Sequence, residues 1–462
     1  MREQPCYAAD TSRCYKRTML TIRDARAILI DETTESAGDL VVEGDGTLDA
    51  SGCVVTPGLV NAHHHLLQSA FRTLPGTRGV PMATWLPTMA AAYARVGVDA
   101  ELAGAAASVG VAEGLLSGVT TVADHHLTWP AGSDTVAIAR ATADAARALG
   151  GRLVFVRGAA RDDPQEAAAS AEAIVDALVP TAPGGVSDDG MLQLAVGPAG
   201  VHSDSRETFD LLGQVAAAHG LRRRTQSNEQ VDVAIALERY GRRPIDLLDE
   251  WGWLADDVTL AHLCDVTPEE IARLAKAGVN ATHAPGCDLP MGWGIAPVAA
   301  LRAAGLTVGL GTSGGGSNDA GHLLADARLA MQVAPLVGPP IPAREILGMA
   351  TEGSARGLGR AELGHLRIGS AADLCVWDVS GVADAGVADP IAGLLWANPG
   401  RRPKHVVVAG RVVVRDYELV GVDQRDLVAA LDRRLTARAS ASAPPSATRR
   451  CTSCRWRPAR VA

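Results

Sequence analysis

No stretch of this 462-residue chain approaches the roughly 18 uninterrupted apolar residues of a membrane-spanning helix. The opening, MREQPCYAADTSRCYKRTML, also lacks the apolar centre of a signal peptide, so the expectation is a cytoplasmic protein. An excess of positive charge is missing as well. The 43 Lys and Arg stand against 52 Asp and Glu, a formal net charge of −9, which argues against nucleic acid or an anionic membrane as partner. Small neutral or cationic ligands fit better. Nor do the eight cysteines (Cys6, Cys14, Cys53, Cys264, Cys287, Cys375, Cys451 and Cys454) show the dense, regular spacing of a disulfide framework. Free thiols are expected. Cys451 and Cys454 form a lone CxxC with no second pair to complete a zinc site, and unrelated surface cysteines are the plainer reading.

What the chain does have is apolar material, 47% of its residues, enough for one large domain and a smaller unit. Residues 1–18 are polar and aperiodic and read as a disordered extension, with the functional start at Met19. Residues 437–462, rich in Ala, Ser, Pro and Arg, read as a disordered tail after a C-terminal helix over 423–436. Between these ends a unit recurs: a β-branched strand, a polar or glycine-rich loop, then an Ala/Leu-rich helix. The strands fall at 54–63, 118–126, 152–160, 192–200, 221–229, 258–266, 278–286 and 306–315. Eight such repeats predict an α/β fold, a closed (β/α)8 TIM barrel over 57–361. The alternating segments over 19–56 and 362–422 predict a small β-sandwich made by both flanks.

In such a barrel the chemistry lies at the C-terminal strand ends. The first strand ends in His63, His64 and His65. Alternation puts His63 and His65 on one face and His64 on the other, so the outer two offer a metal bite. His125 and His126 end the second strand, His262 the sixth and His283 the seventh. One histidine cluster alone is often structural. Several converging on one rim predict a metal or former metal site.

The motifs PGLVNAHHHLLQ, TTVADHH, HAPGCDLPMGWGIAP, GLGTSGGGSND and GSAADLCVWD together resemble the amidohydrolase superfamily, in its branch of cytosine, guanine and 8-oxoguanine deaminases and s-triazine hydrolases. The resemblance spans about residues 19–436. It implies one zinc per chain, held by His63, His65, a strand 5 histidine, His262 and a strand 8 aspartate. Two of these positions depart from the pattern. The strand 5 ligand is Gln226, whose amide oxygen binds zinc more weakly than an imidazole does, and the aspartate is Ser313, a poor base at neutral pH. Arg224 shares the inward face with Gln226 and adds repulsion towards a cation. Together with Arg222 and Arg223 it conflicts with a buried strand.

The resemblance also implies Glu229 as proton shuttle, His262 and His283 as groups that ligate, polarise or orient, and Ser313 as a hydrogen-bonding partner of the attacking water. Gln68, Trp85, His126, Asp288 and Trp293 are expected to line the pocket, with the two tryptophans either stacking on a flat ring or packing in the core. Gly314, Gly315 and Gly316 are expected to loosen their loop. The implied activity is hydrolytic deamination, or displacement of a similar leaving group, on an aminopurine, aminopyrimidine or s-triazine. The alternative is a metal-poor relative that binds a heterocycle without hydrolysing it. Many relatives are oligomers, and a homo-oligomer is left open.

Overall fold

The computed structural model describes residues 18–180 and 182–441. The extension up to residue 17, the tail beyond 441 and Cys6, Cys14, Cys451 and Cys454 lie outside the described residues. Cys53, Cys264, Cys287 and Cys375 are free thiols. Among the described residues, no helix is long and apolar enough to cross a membrane.

Eight barrel strands alternate with helices: Leu59–His65, Val119–His126, Arg152–Ala159, Leu192–Pro198, Arg222–Ser227, Val258–His262, Asn280–His283, and an eighth in two short pieces, Val308–Leu310 and Ser313–Gly314. Each is parallel to the next. The eighth closes the ring because its first piece pairs with Asn280–His283 and its second with Leu59–His65. Between the pieces, Gly311 N donates to His283 O at 2.9 Å and Thr312 N to His63 O at 3.1 Å. The intervening helices pack one face inward. In Thr135–Leu149, the buried Ile138, Ala139, Thr142, Ala145, Ala146 and Leu149 recur at helical spacing. Asp99, Asp134, Asp163, Ser205 and Thr267 cap helix N-termini through their side chains.

Three sequence expectations need correction. The run over 54–63 is two strands divided at Gly58: Cys53–Pro57 joins the flanking sheet and Leu59–His65 the barrel. A side chain at residue 58 would sit 2.3 Å from Thr120 Oγ1, so glycine lets the chain cross from one sheet to the other. The flanks do pair with each other, Cys53–Pro57 lying antiparallel to Leu374–Asp378. Their eight strands hydrogen-bond into one continuous sheet, in place of two separately bonded ones. The last helix, Gln424–Ala441, runs five residues past its expected end at 436. Arg438, in its last turn, donates to Gly97 O and pairs with Asp99.

The arginine-rich fifth strand is also resolved. Arg223 points outward, where a bidentate pair with Asp257 (2.7 Å to each oxygen) and the face of Trp253 receive it. Arg222 reaches Gly357 O. Arg224, on the same face as Arg222 and opposite Arg223, is buried.

Barrel and flanking sheet are joined by a buried bidentate pair: Arg152 Nε and Nη2 donate to Asp373 at 2.7 and 2.9 Å, and Ala409 N donates to the same carboxylate. Asp373→Ala would leave a buried guanidinium uncompensated, a loss of about 3–5 kcal/mol. The exposed pair Arg147–Asp189 should contribute at most about 1 kcal/mol. Urea denaturation of Asp373→Ala and Arg147→Ala side by side should therefore move the midpoint strongly in the first and barely in the second.

Candidate active site

The first strand points His63 and His65 into the barrel mouth and His64 outward, where its Nδ1 meets Thr312 Oγ1 at 2.8 Å. The ring of His63 lies 4.9 Å from that of His65 and 5.2 Å from that of His262, centroid to centroid. His125 joins the cluster, 6.0 Å from each of the first-strand pair. His65 Nδ1 donates to His125 O at 2.7 Å. A carbonyl only accepts, so the proton is on Nδ1 and Nε2 keeps its lone pair. Burial holds His63 well below its usual range, His65 at about 4 and His125 at about 3. These imidazoles are neutral.

His262 differs. Its Nδ1 donates to Asp288 Oδ1 at 2.6 Å, while its Nε2 faces Gln226 Oε1 at 3.1 Å and Glu229 Oε1 at 3.7 Å. Burial works against the imidazolium, but the charges of Asp288 and Glu229 outweigh it and raise His262. Asp288 is buried too, yet its pairing with His262 brings it down to about 2. His283 Nδ1 stands 3.6 Å from the other Asp288 oxygen. Asp288 thus lies behind His262, where it fixes the ring. It is not on the cavity wall as the sequence reading placed it.

Glu229 is 1% exposed, neither carboxylate oxygen has a hydrogen-bond partner, and burial lifts it to about 7. His63 Nε2 is likewise buried without a partner. Among the described residues, one trio of His, Cys, Asp or Glu donors lies within 4.8 Å of one another: His262, Cys287 and Asp288. The structure therefore brings His63 against both His65 and His262 without drawing all three donors to that spacing. Arg224 is buried on the same inner face. Burial lowers its guanidinium to about 9, Nη2 donates to Ala62 O, and Nε and Nη1 have no partner.

A cavity of about 480 Å³ opens over this cluster, lined by His65, Gln68, Trp85, His126, Gln226, Trp293 and Ser313 among others. Trp293 sets its ring edge-on to His262 at 5.1 Å. Trp85 Nε1 donates to Gly316 O, and His126 Nε2 to Thr128 O while its ring stacks on Phe155. Ser313 adopts a left-handed φ of 54° and accepts from Ser317 Oγ at 3.4 Å. The glycines after it do not loosen the loop. Side chains at Gly314, Gly315 and Gly316 would fall within 2.2–2.6 Å of Gln68 or Met89, and Gln68 Oε1 accepts from Gly316 N. They are there for close approach.

Sequence reasoning passed over three groups on this wall. Asp124, raised by burial to about 7, accepts from Leu66 N. Arg161 and His202 line the cavity from the loops after strands 3 and 4. A polar residue just past a strand end was the available signal for the last two.

A model described as the amidohydrolase family matches residues 54–413. The 8-oxoguanine deaminase of Pseudomonas aeruginosa is 35% identical over 438 residues, covering 88% of this chain and 96% of that protein. A 5-methylthioadenosine/S-adenosylhomocysteine deaminase of Halobacterium salinarum is 30% identical over 436 residues, covering 89% and 97%. Among solved structures, the atrazine chlorohydrolase of Arthrobacter aurescens complexed with zinc superposes with a TM-score of 0.82 at 34% identity, covering 90% of this chain and 100% of that one. Histidines gathered at the mouth of a closed barrel, and likeness to these hydrolases over nearly the whole length, make this chain a member of the amidohydrolase family.

Proposed function

We propose that this chain hydrolyses a nitrogen heterocycle at a ring carbon bearing an amino or similar leaving group, with deamination the first choice. The observation that carries the reading is Glu229: a buried carboxyl, free of hydrogen bonds, facing His262, whose partner Gln226 lines the cavity. A group lifted to about 7 both takes and gives a proton near neutral pH. Water adds through its oxygen to the ring carbon. Its proton passes to Glu229 and on to the departing amine, the C–N bond breaks, and ammonia leaves. With Ser313 in place of a carboxylate, Glu229 carries both transfers. Trp293 offers its ring to the flat substrate, and His283 stabilises charge developing on it. Deaminases of oxidised guanine and of adenine nucleosides among the relatives support this substrate class.

The donor set fits a divalent cation. His63 Nε2 is a buried orphan, and His262 Nε2 and Gln226 Oε1 meet at 3.1 Å beside the cavity that Gln226 lines. His63, His65, Gln226 and His262 would hold one such ion per chain. When bound, it makes water nucleophilic at neutral pH. Asp288 serves that arrangement by keeping the His262 proton on Nδ1. Arg224 favours the second reading, a metal-poor site that binds a heterocycle, because its buried charge opposes a cation.

Three measurements test these readings. Ammonia release from a panel of aminated purines, pyrimidines and s-triazines should fall at least about 10²-fold in Glu229→Gln with metal content unchanged; undiminished turnover would refute the assignment. Elemental analysis after zinc supplementation and dialysis should find about one zinc per chain. Gln226→His should tighten zinc about tenfold or more in chelator competition. A metal-free wild type would instead establish the second reading.

A further inference from the structure

Opposite the first-strand histidines, the loop after strand 4 carries an imidazole that the mechanism above does not use. His202 lines the cavity. Its Nδ1 meets Asp232 Oδ1 at 3.2 Å, and Asp232 is fully buried. The other Asp232 oxygen accepts from Asn228 N at 2.9 Å, on the residue immediately before Glu229. Arg239 Nη1 holds the His202 carbonyl at 3.0 Å. Beneath the ring, any side chain at Gly200 would come within 2.6 Å of Nδ1. The imidazole is thus fixed through its carbonyl, its Nδ1 and its lower face. Its Nε2 has no hydrogen-bond partner among the described residues; burial works against the imidazolium, but Asp232 on the far nitrogen outweighs it and raises the ring, so that both nitrogens carry a proton and Nε2–H is free to donate. Arg161 lines the same wall, and among the described residues its guanidinium forms no ion pair or hydrogen bond.

Resting on the hydrolase reading of this site, we propose that the His202–Asp232 dyad is a specificity determinant: His202 Nε2 donates a hydrogen bond to an electron-rich edge of the substrate. The class selected is an oxo-substituted amino heterocycle, whose carbonyl or anionic ring edge meets His202, with Arg161 reinforcing the same polarity at the outer rim. Amino heterocycles without an oxo group leave the imidazole unpaired in a largely enclosed wall and bind more weakly. A site built to hydrogen-bond a substrate group discriminates against the analogue lacking it far more sharply than an apolar pocket does.

The test uses the full-length protein with guanine and 8-oxoguanine as oxo-bearing probes and 2-aminopurine as the oxo-free one. Binding is measured by calorimetry and turnover by ammonia release. His202→Leu should weaken binding of both oxo-bearing probes tenfold or more while 2-aminopurine changes less than twofold. His202→Gln, which keeps a donor near Nε2, should restore part of the loss. Equal weakening for all three probes, or none, would overturn the proposal by making the dyad a structural tether alone. Binding with the expected selectivity but without ammonia release would defeat the hydrolase reading and leave the dyad's role standing. Failure of the wild type to bind the oxo-bearing probes would overturn the dyad's role.

Discussion

Two backbone hydrogen bonds, from Gly311 to His283 and from Thr312 to His63, close the barrel. The histidines at the mouth depend on them. His63 belongs to the first strand and His283 to the seventh, more than 200 residues apart in sequence, and the short eighth strand bridges them directly. Gly311 is indispensable at the join, because a side chain there would lie 2.7–2.9 Å from His63 atoms. The same segment leads directly into Ser313 and the packed glycines. Ring closure and site geometry are therefore one constraint, and strain at the join would be felt at the cluster before it was felt in the helices.

Electrostatics divide the cluster into two halves. On the first- and second-strand side, burial keeps His63, His65 and His125 neutral, with lone pairs available. On the sixth-strand side, Asp288 supplies a fixed negative charge that draws positive charge onto His262. Glu229 lies between these environments without a hydrogen bond of its own. A low-dielectric pocket amplifies every such difference. Arg224 adds its charge on the same inner face, where Gln226, a neutral side chain, meets the His262 imidazole at 3.1 Å.

Much of this architecture was legible in the sequence. Eight alternating strand and helix patterns specify a barrel, and two histidines two apart at a strand end must share a face. Other features were hidden for identifiable reasons. The division at Gly58 lies inside one apolar run, where periodicity cannot separate two strands that belong to different sheets. Asp288 reads as a loop carboxylate, and only three-dimensional proximity shows it behind His262. The arginines of strand 5 were visibly discordant, yet Asp257, which pairs with Arg223, is 34 residues distant. His202 follows a recognisable strand but belongs to no repeated motif. Glycine is ambiguous at the level of sequence, since it supplies either conformational freedom or room, and at 314–316 it supplies room.

That packed glycine segment makes the two sides of the cavity unequal in their capacity to change. Residues 314–316 admit no side chain without displacing Gln68 or Met89, so drift at these positions is lethal to the wall or silent, with little between. The facing helix, Met82–Val96, presents Met82, Leu86, Met89 and Ala90 to the same space. Those side chains are flexible or small and exchange for one another at modest cost. Room for new ring substituents thus has a direction built into the fold: one wall admits almost no added side chain, and the other can be reshaped without disturbing the barrel's closure.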